Sequence, residues 1–94
     1  AAAMPDYSQR QGRSIGSTYT AATNGFLVGY DRYNGGSGYS CDFNIFINNI
    51  NVKTFACQTE YTINDWTYPV KKGSTYRVTL GSKGEGGYFF VPSN

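Results

Sequence analysis

The last third of the chain, Tyr68–Pro92, constrains the fold most, because apolar and polar side chains alternate along it. In Thr75–Leu80 every second residue is aromatic or aliphatic, which is the period of a β-strand. The polar turn Lys71–Ser74 and a glycine-rich loop, Gly81–Gly87, bound this run. A final run, Tyr88–Val91, ends at a proline, which cannot donate a hydrogen bond to a sheet. With the short run Tyr68–Val70 that precedes the turn, the stretch predicts three strands of an all-β domain.

Similar runs cover the rest of the chain and are separated by turn-forming residues. The pattern predicts further strands over 17–21, 26–30, 39–47, 50–55 and 58–63. Asn24-Gly25 predicts a tight hairpin turn, and Asn64-Asp65 predicts a turn as well. Aromatic residues make up 17% of the chain and charged residues only 15%, a balance that favours pleated, half-buried strands. We predict an all-β fold: a compact antiparallel β-sandwich, jelly-roll-like, of about eight short strands.

The length of 94 residues predicts one domain, spanning residues 1–94. Met4–Ser14 is polar and predicts an entry segment on the surface, while Ala1–Ala3 would be a cloning remnant or the end of a preceding segment. No apolar run is long enough for a transmembrane helix, and no signal peptide opens the chain. The net charge is only +2 and the basic residues are scattered along the chain, which argues against a nucleic-acid partner.

The turn Asn48-Asn49 predicts a two-residue hairpin whose register can be worked out. The expected pairs are Ile47 with Ile50, Ile45 with Val52, and Phe43 with Thr54. This register leaves Phe55 on the outer face and points Cys41 and Cys57 to opposite faces. A disulfide between them would need a bulge. We therefore predict two free thiols, as expected of a protein assembled in a reducing cytoplasm.

Catalytic chemistry has little support in the sequence. The chain has no histidine, the usual general base and the commonest metal ligand. Its six carboxylates show no obvious pairing, and two cysteines are too few for a zinc site. Neither glycine-rich stretch opens a helix, so a phosphate-binding loop is not expected. We predict a non-enzymatic protein without cofactor or metal.

Surface recognition is the remaining class, because loop aromatics and polar groups suit a glycan or a protein ligand. The candidate ligand-binding residues are Arg32, Tyr33, Tyr39, Asp65 and Trp66. Arg32 and Tyr33 are expected at the tip of a flexible loop, 31–38, and Tyr33 is the best of the candidates. Tyr39 also begins the core face of a strand, and Trp66 also suits the core or a subunit contact. Both therefore have a packing alternative.

Three consecutive aromatic residues, Tyr88, Phe89 and Phe90, are candidates for an oligomer interface. Side chains alternate along a strand, so these rings cannot all enter one core. At least one must face a partner or be exposed. The surplus of rings favours a homotrimer with the last strand at its axis.

Five short motifs carry a family resemblance: Met4–Ser8, Tyr19–Ala21, Asn24–Phe26, Pro69–Tyr76 and Phe90–Pro92. Together they resemble small C-terminal modules of tailed-phage and prophage tail fibres. The stretch PVKKGSTY is also similar to the late strands of C1q/TNF-like jelly rolls. The resemblance implies a trimeric β-sandwich head at a fibre tip, located in the virion after assembly in the host cytoplasm. No site residue is transferred by these motifs.

These observations favour a tail-fibre tip that recognises a host-surface receptor, a glycan or a protein, without catalysis. A first alternative is a carbohydrate-binding, lectin-like module of a secreted or surface protein. A second is a structural virion or assembly protein without a ligand. An enzyme ranks after these.

Overall fold

The computed structural model describes residues 4–33, 43–55, 63–81 and 84–93, with only the backbone for Tyr33 and Gly84. Within these ranges the chain forms one 3-10 helix, Tyr7–Gln9, and eight strands. The strands are β1 (Gln11–Arg13), β2 (Tyr19–Thr20), β3 (Gly25–Tyr33), β4 (Phe43–Ile47), β5 (Ile50–Phe55), β6 (Ile63–Val70), β7 (Thr75–Leu80) and β8 (Gly84–Pro92). None of the described helical structure is long and apolar enough to cross a membrane.

The strands form two four-stranded antiparallel sheets that face each other. The first sheet has the order β1-β8-β3-β6, and the second has the order β2-β7-β4-β5. Strands that follow each other in sequence mostly change sheet, and the two interleaved orders are those of a jelly roll. The predicted antiparallel β-sandwich of about eight strands is therefore confirmed.

The core lies between the two sheets and is rich in aromatic rings. Phe43 and Val78 of the second sheet are fully buried, as is Leu27 of the first. The ring of Tyr76 on β7 stacks on that of Phe90 on β8, with centroids 5.7 Å apart and planes 9° from parallel. Such ring pairs add about 0.5–1.5 kcal/mol beyond the area they bury. Ring contacts across the core therefore help to hold the sheets together.

Two predicted irregular segments belong instead to long strands. The Asn64-Asp65 turn is wrong, because β6 runs through these residues and pairs with β3. The predicted loop over 31–38 is wrong for Asp31–Tyr33, which extend β3 between β6 and β8. Continuous pairing with a neighbouring strand overrides the weak local preference of Asn and Asp for turns. Pro69 is tolerated because β6 lies at the edge of its sheet.

The predicted limits of the entry segment and of the last glycine-rich loop also change. Residues 11–13 of the entry segment form β1, which pairs with β8. The loop predicted over Gly81–Gly87 is wrong for residues 84–87, because β8 already begins at Gly84. A Cβ at Gly86 would lie 2.5 Å from the Tyr30 carbonyl oxygen and 2.7 Å from the Phe43 ring. Glycine at this position therefore permits close packing and does not mark a turn.

The hairpin turn predicted at Asn24-Gly25 is wrong, because β2 and β3 lie in different sheets. Asn24 links chain segments: its carbonyl oxygen accepts from the Ser93 N–H and its Oδ1 from the Lys72 N–H. A Cβ at Gly25 would lie 2.6 Å from the Phe90 ring. Asn24 therefore serves to hydrogen-bond two other chain segments, and Gly25 serves to let the Phe90 ring approach the backbone closely.

The Asn48-Asn49 turn is confirmed, with both residues at positive φ, 53° and 63°. The predicted register holds for Ile47 with Ile50 and then fails at a bulge. Beyond it, Ile45 pairs with Lys53, and Phe43 pairs with Phe55. The extra residue in β5 is Val52, so the side chains after it change face. The Phe55 ring, expected outside, consequently lies 6.3 Å from the Phe43 ring at the core.

Cys41 and Cys57 lie outside the described residues, and the two free thiols stay a prediction. The same holds for the predicted strand residues 39–42 and 58–62.

Candidate functional site

The outer face of the first sheet gathers exposed aromatic side chains. Alternate residues of β3, β6 and β8 point away from the core onto this face. The register places Val28 between Phe89 on β8 and Thr67 on β6. In the next row, Tyr30 on β3 pairs with Asp65 on β6. We call this surface the outer aromatic face: Val28, Tyr30, Asp65, Thr67 and Phe89.

Two rings on this face stand partly in solvent, with Tyr30 40% and Phe89 43% exposed. Phe89 pairs with Gly12 on β1, and Tyr30 pairs with Gly87 on β8. A Cβ on Gly12 would lie 4.0 Å from the Phe89 ring, and one on Gly87 would lie 3.6 Å from the Tyr30 ring. Each ring therefore lies next to a glycine of the adjacent strand. The missing side chains leave room beside both rings.

Charged groups border the rings and compensate each other. Arg32 Nη2 lies 2.9 Å from Glu85 Oε2 in a salt bridge between β3 and β8. The Arg10 guanidinium carbon lies 5.8 Å from the centroid of the Phe89 ring, within the range of a cation–π contact. Asp65 is exposed beside Tyr30. Two cations and two carboxylates thus give this face no strong charge of either sign.

The outer aromatic face continues into an apolar groove at one end of the sandwich. Phe26 on β3 pairs with Pro69 on β6 one row beyond Val28. Phe26 and Pro69 form part of the wall of a groove of about 390 Å³. The groove is lined by Asn24, Gly25, Phe26, Pro69, Val70, Lys71 and Ser93. The face is therefore concave and apolar at this end.

Two of the five predicted ligand-binding residues come together on this surface. Asp65 is part of the outer aromatic face, and Arg32 lies in the adjacent row, opposite Ile63. Arg32 and Asp65 are thus diagonal neighbours on adjacent strands, a relation that places their Cα atoms about 7–8 Å apart. Tyr33 ends β3, where its backbone pairs with Gly84. Tyr39 lies outside the described residues.

The prediction that Trp66 contacts a ligand is wrong for the described structure, because Trp66 is only 6% exposed. Its ring lies 5.7 Å from Phe43, 5.9 Å from Tyr88 and 6.2 Å from Tyr68, measured between centroids. β6 directs Trp66 inward and its neighbour Asp65 outward, since adjacent side chains point to opposite faces. The packing alternative is the correct one.

The three aromatic residues proposed for an oligomer interface do not share one role. Tyr88 and Phe90 are each 3% exposed and belong to the core, so they do not face a partner. Phe89 points outward and is exposed, as the alternation of a strand requires. Phe89 is thus the residue of the three available to a ligand or to another copy. The homotrimer stays a prediction.

Tyr30 was missed as a site residue although the sequence contains a signal for it. Leu27 is buried, and alternation within the predicted strand over 26–30 places Tyr30 on the face opposite Leu27. The charged residues that follow, Asp31 and Arg32, made the segment resemble a loop. The pairing of β3 with two neighbours, which only the fold provides, extends the strand.

Asp31 is a carboxylate on the inner face of β3, with 5% of its surface exposed. Burial raises the pKa of Asp31, and the side chain of Asn64, opposite on β6, lowers this pKa in part. Its Oδ1 accepts no hydrogen bond from the residues described. Within the described ranges, no group of three or more His, Cys, Asp or Glu residues could hold a metal ion.

Comparison with known proteins gives no family for this chain. No protein-family model matches it, and no curated protein matches it. Among solved structures, it is similar to a family 35 carbohydrate-binding module from an environmental isolate, with 15% identity and a TM-score of 0.46. The match covers 82% of this chain, which spans 61% of the length of the solved structure. A likeness of this size assigns neither a family nor a ligand.

Proposed function

We propose that the chain binds carbohydrate without catalysis, through the outer aromatic face. The observation that supports this is the pair of exposed rings, Tyr30 and Phe89, on the outer face of one sheet with hydrogen-bonding neighbours. An aromatic ring presents an apolar surface on which the C–H face of a sugar can stack. The Asp65 carboxylate and the Thr67 hydroxyl can accept or exchange hydrogen bonds with sugar hydroxyls.

The shape and charge of the face point to the class of sugar. The two rings lie on adjacent strands of one exposed sheet face, an arrangement that suits the side of an extended polysaccharide chain. The compensated charges of Arg10, Arg32, Asp65 and Glu85 favour a neutral ligand. The proposed ligand is therefore a neutral polysaccharide bound along its length.

Binding to a panel of soluble neutral polysaccharides, measured by affinity electrophoresis and calorimetry, tests this proposal. Tyr30→Ala and Phe89→Ala should each weaken binding about tenfold or more, since ~1.4 kcal/mol of lost contact is a factor of ten. Ile50→Ala is the control, because Ile50 is an exposed apolar residue on β5 of the other sheet. This variant should bind as the wild type does.

Two results would contradict the proposal. One is a correctly folded wild type that binds none of the polysaccharides. The other is equal binding by the wild type and both ring variants, which would place the sugar elsewhere. The tail-fibre and virion location stays a prediction, since no observation on the described residues favours it.

A further inference from the structure

The outer face of the second sheet is chemically different from the outer aromatic face. Its side chains form rows across β7, β4 and β5. Arg77 pairs with Phe46, which pairs with Asn51, and Asn44 pairs with Thr54 in the adjacent row. We call this surface the second face: Asn44, Phe46, Asn51, Thr54 and Arg77.

Arg77 is held in place by a ring. The Arg77 guanidinium carbon lies 4.0 Å from the centroid of the Phe46 ring, and Arg77 is half-buried. Among the described residues no hydrogen bond or ion pair engages the guanidinium. Stacking on the ring restricts the plane of the guanidinium and leaves the N–H groups at its edge available. Arg77 is therefore an ordered cation that lacks an anionic partner in the described structure.

The described charges are divided between the two sheets. The strands of the second sheet contain Lys53 and Arg77 and no carboxylate. The described carboxylates lie in the entry segment and the first sheet: Asp6, Asp31, Asp65 and Glu85. The first sheet neutralises its outer cation, because Arg32 pairs with Glu85. Among the described residues on the outer faces of the two sheets, Arg77 is a cation with no carboxylate beside it, and this favours an anionic ligand on the second face.

Polar side chains on the same face, on the neighbouring β4 and on β5 beyond it, are already ordered by hydrogen bonds. The Thr54 hydroxyl donates to Asn44 Oδ1 at 2.8 Å, and Asn51 Nδ2 donates to Thr54 Oγ1 at 3.0 Å. Amides and hydroxyls both donate and accept, so the remaining capacity of this network suits the hydroxyls of a sugar. A group held in one geometry loses less entropy on binding.

We propose that the second face binds the carboxylate groups of an acidic polysaccharide. The planar fork of Arg77 can donate two parallel hydrogen bonds to one carboxylate, while Asn44, Asn51 and Thr54 bind neighbouring hydroxyls. One ordered guanidinium among neutral polar groups fits a polymer with one charge per sugar. Nucleic acid would require several basic residues along the backbone. This site is separate from the outer aromatic face and does not rest on it.

The test uses two polymers with the same sugar backbone, polygalacturonate and its uncharged methyl ester, compared by calorimetry at low ionic strength. The wild type should bind polygalacturonate about tenfold more tightly. Arg77→Gln should remove this preference, and Arg77→Lys should retain only part of it, because lysine lacks the planar fork. Lys53→Gln is the control for net charge and should retain the preference.

Three results would overturn the proposal. The first is a wild type without preference for polygalacturonate, and the second is an equal loss of this preference in Arg77→Gln and Lys53→Gln. The third is binding of polyglutamate as tight as that of polygalacturonate. The last result would replace a polysaccharide by an acidic polypeptide. Tyr30→Ala separates the two proposals, because it should weaken binding of neutral polysaccharides and leave polygalacturonate binding unchanged. Circular dichroism of each variant verifies that it is folded.

Discussion

At the scale of single residues, Asp31 is a polar group placed where the fold would favour an apolar one. It lies on the inner face of β3, almost fully buried, with one carboxylate oxygen that accepts no hydrogen bond from the described residues. Burial raises the pKa of Asp31 above its ordinary value of 3.8, since a low-dielectric surrounding disfavours the charged form. The folded state therefore binds a proton more tightly than the unfolded state does.

This pKa shift makes stability depend on pH. As pH rises from 3.8 through the raised pKa, the unfolded state loses its proton first, so the free energy of unfolding falls. Asp31→Asn should remove this dependence and, at neutral pH, raise the free energy of unfolding by on the order of 1 kcal/mol. Urea unfolding of both proteins across this pH range measures the effect.

The exposed Asp65 supplies the control, because Asp65→Asn should change the free energy of unfolding by less than about 0.5 kcal/mol. An Asp31→Asn variant less stable than the wild type at neutral pH would show that the charged carboxylate is stabilising in the fold.

Residue by residue, the sequence predicts the direction of side chains where a recognised strand is regular, and fails where a strand is unrecognised or contains a bulge. The alternation in Thr75–Leu80 correctly buries Tyr76 and Val78. The sequence left open whether Trp66 packs in the core or contacts a ligand, because a single tryptophan suits either role. The direction of its side chain depends on where β6 begins.

At the scale of elements, β3 is the strand on which the first sheet depends, since it pairs with β6 on one side and β8 on the other. Gly29 lies at its middle, where the inner surface is crowded. A Cβ there would lie 2.5 Å from the Gly87 carbonyl oxygen and 2.6 Å from both the Trp66 ring and the Tyr88 Cβ. Backbone and ring atoms at these distances cannot move aside independently.

Gly29→Ala should therefore lower the free energy of unfolding by about 1–3 kcal/mol or more, the cost of overpacking a core. Gly12→Ala is the matched control, because its Cβ would meet only the Phe89 ring at 4.0 Å. The control should be neutral or slightly stabilising, since alanine restricts the unfolded chain. Denaturant unfolding compares the two variants, and equal stabilities would show that the strands can separate without cost.

Elements were predicted where their side chains alternate and missed where pairing alone defines them. β1 has three residues, Gln11–Arg13, with no apolar pattern, and exists because β8 offers it an edge. The bulge at Val52 has no local signal either. It changes the face of Phe55, which then packs against Phe43.

At the scale of the whole molecule, Arg13 connects the two sheets at one side of the sandwich. It lies on β1 of the first sheet, and its Nε donates to the Tyr76 hydroxyl of the second sheet at 2.8 Å. Its guanidinium carbon is 4.7 Å from the Tyr19 ring centroid and 5.8 Å from that of Phe90. One side chain thus contacts three strands of both sheets.

Arg13→Ala should lower the free energy of unfolding by about 1–3 kcal/mol, because it removes a hydrogen bond from a charged donor and two cation–π contacts. Arg10→Ala, which removes a cation from the outer surface alone, should cost less than about 1 kcal/mol. Thermal and urea unfolding measure both. Equal losses would show that Arg13 acts only as a surface charge.

The sequence by itself determined the fold class, because the two-residue period, the glycines and the turn residues are local and admit strands but no long helix. It also determined the Asn48-Asn49 turn, since both residues tolerate positive φ. The tertiary structure alone decided which faces meet, and so where the surfaces for recognition lie. Tyr30, Phe89 and Asp65 come from three strands, and Arg77 and Phe46 from two others. Their proximity depends on strand order and register, which long-range pairing sets and local pattern does not.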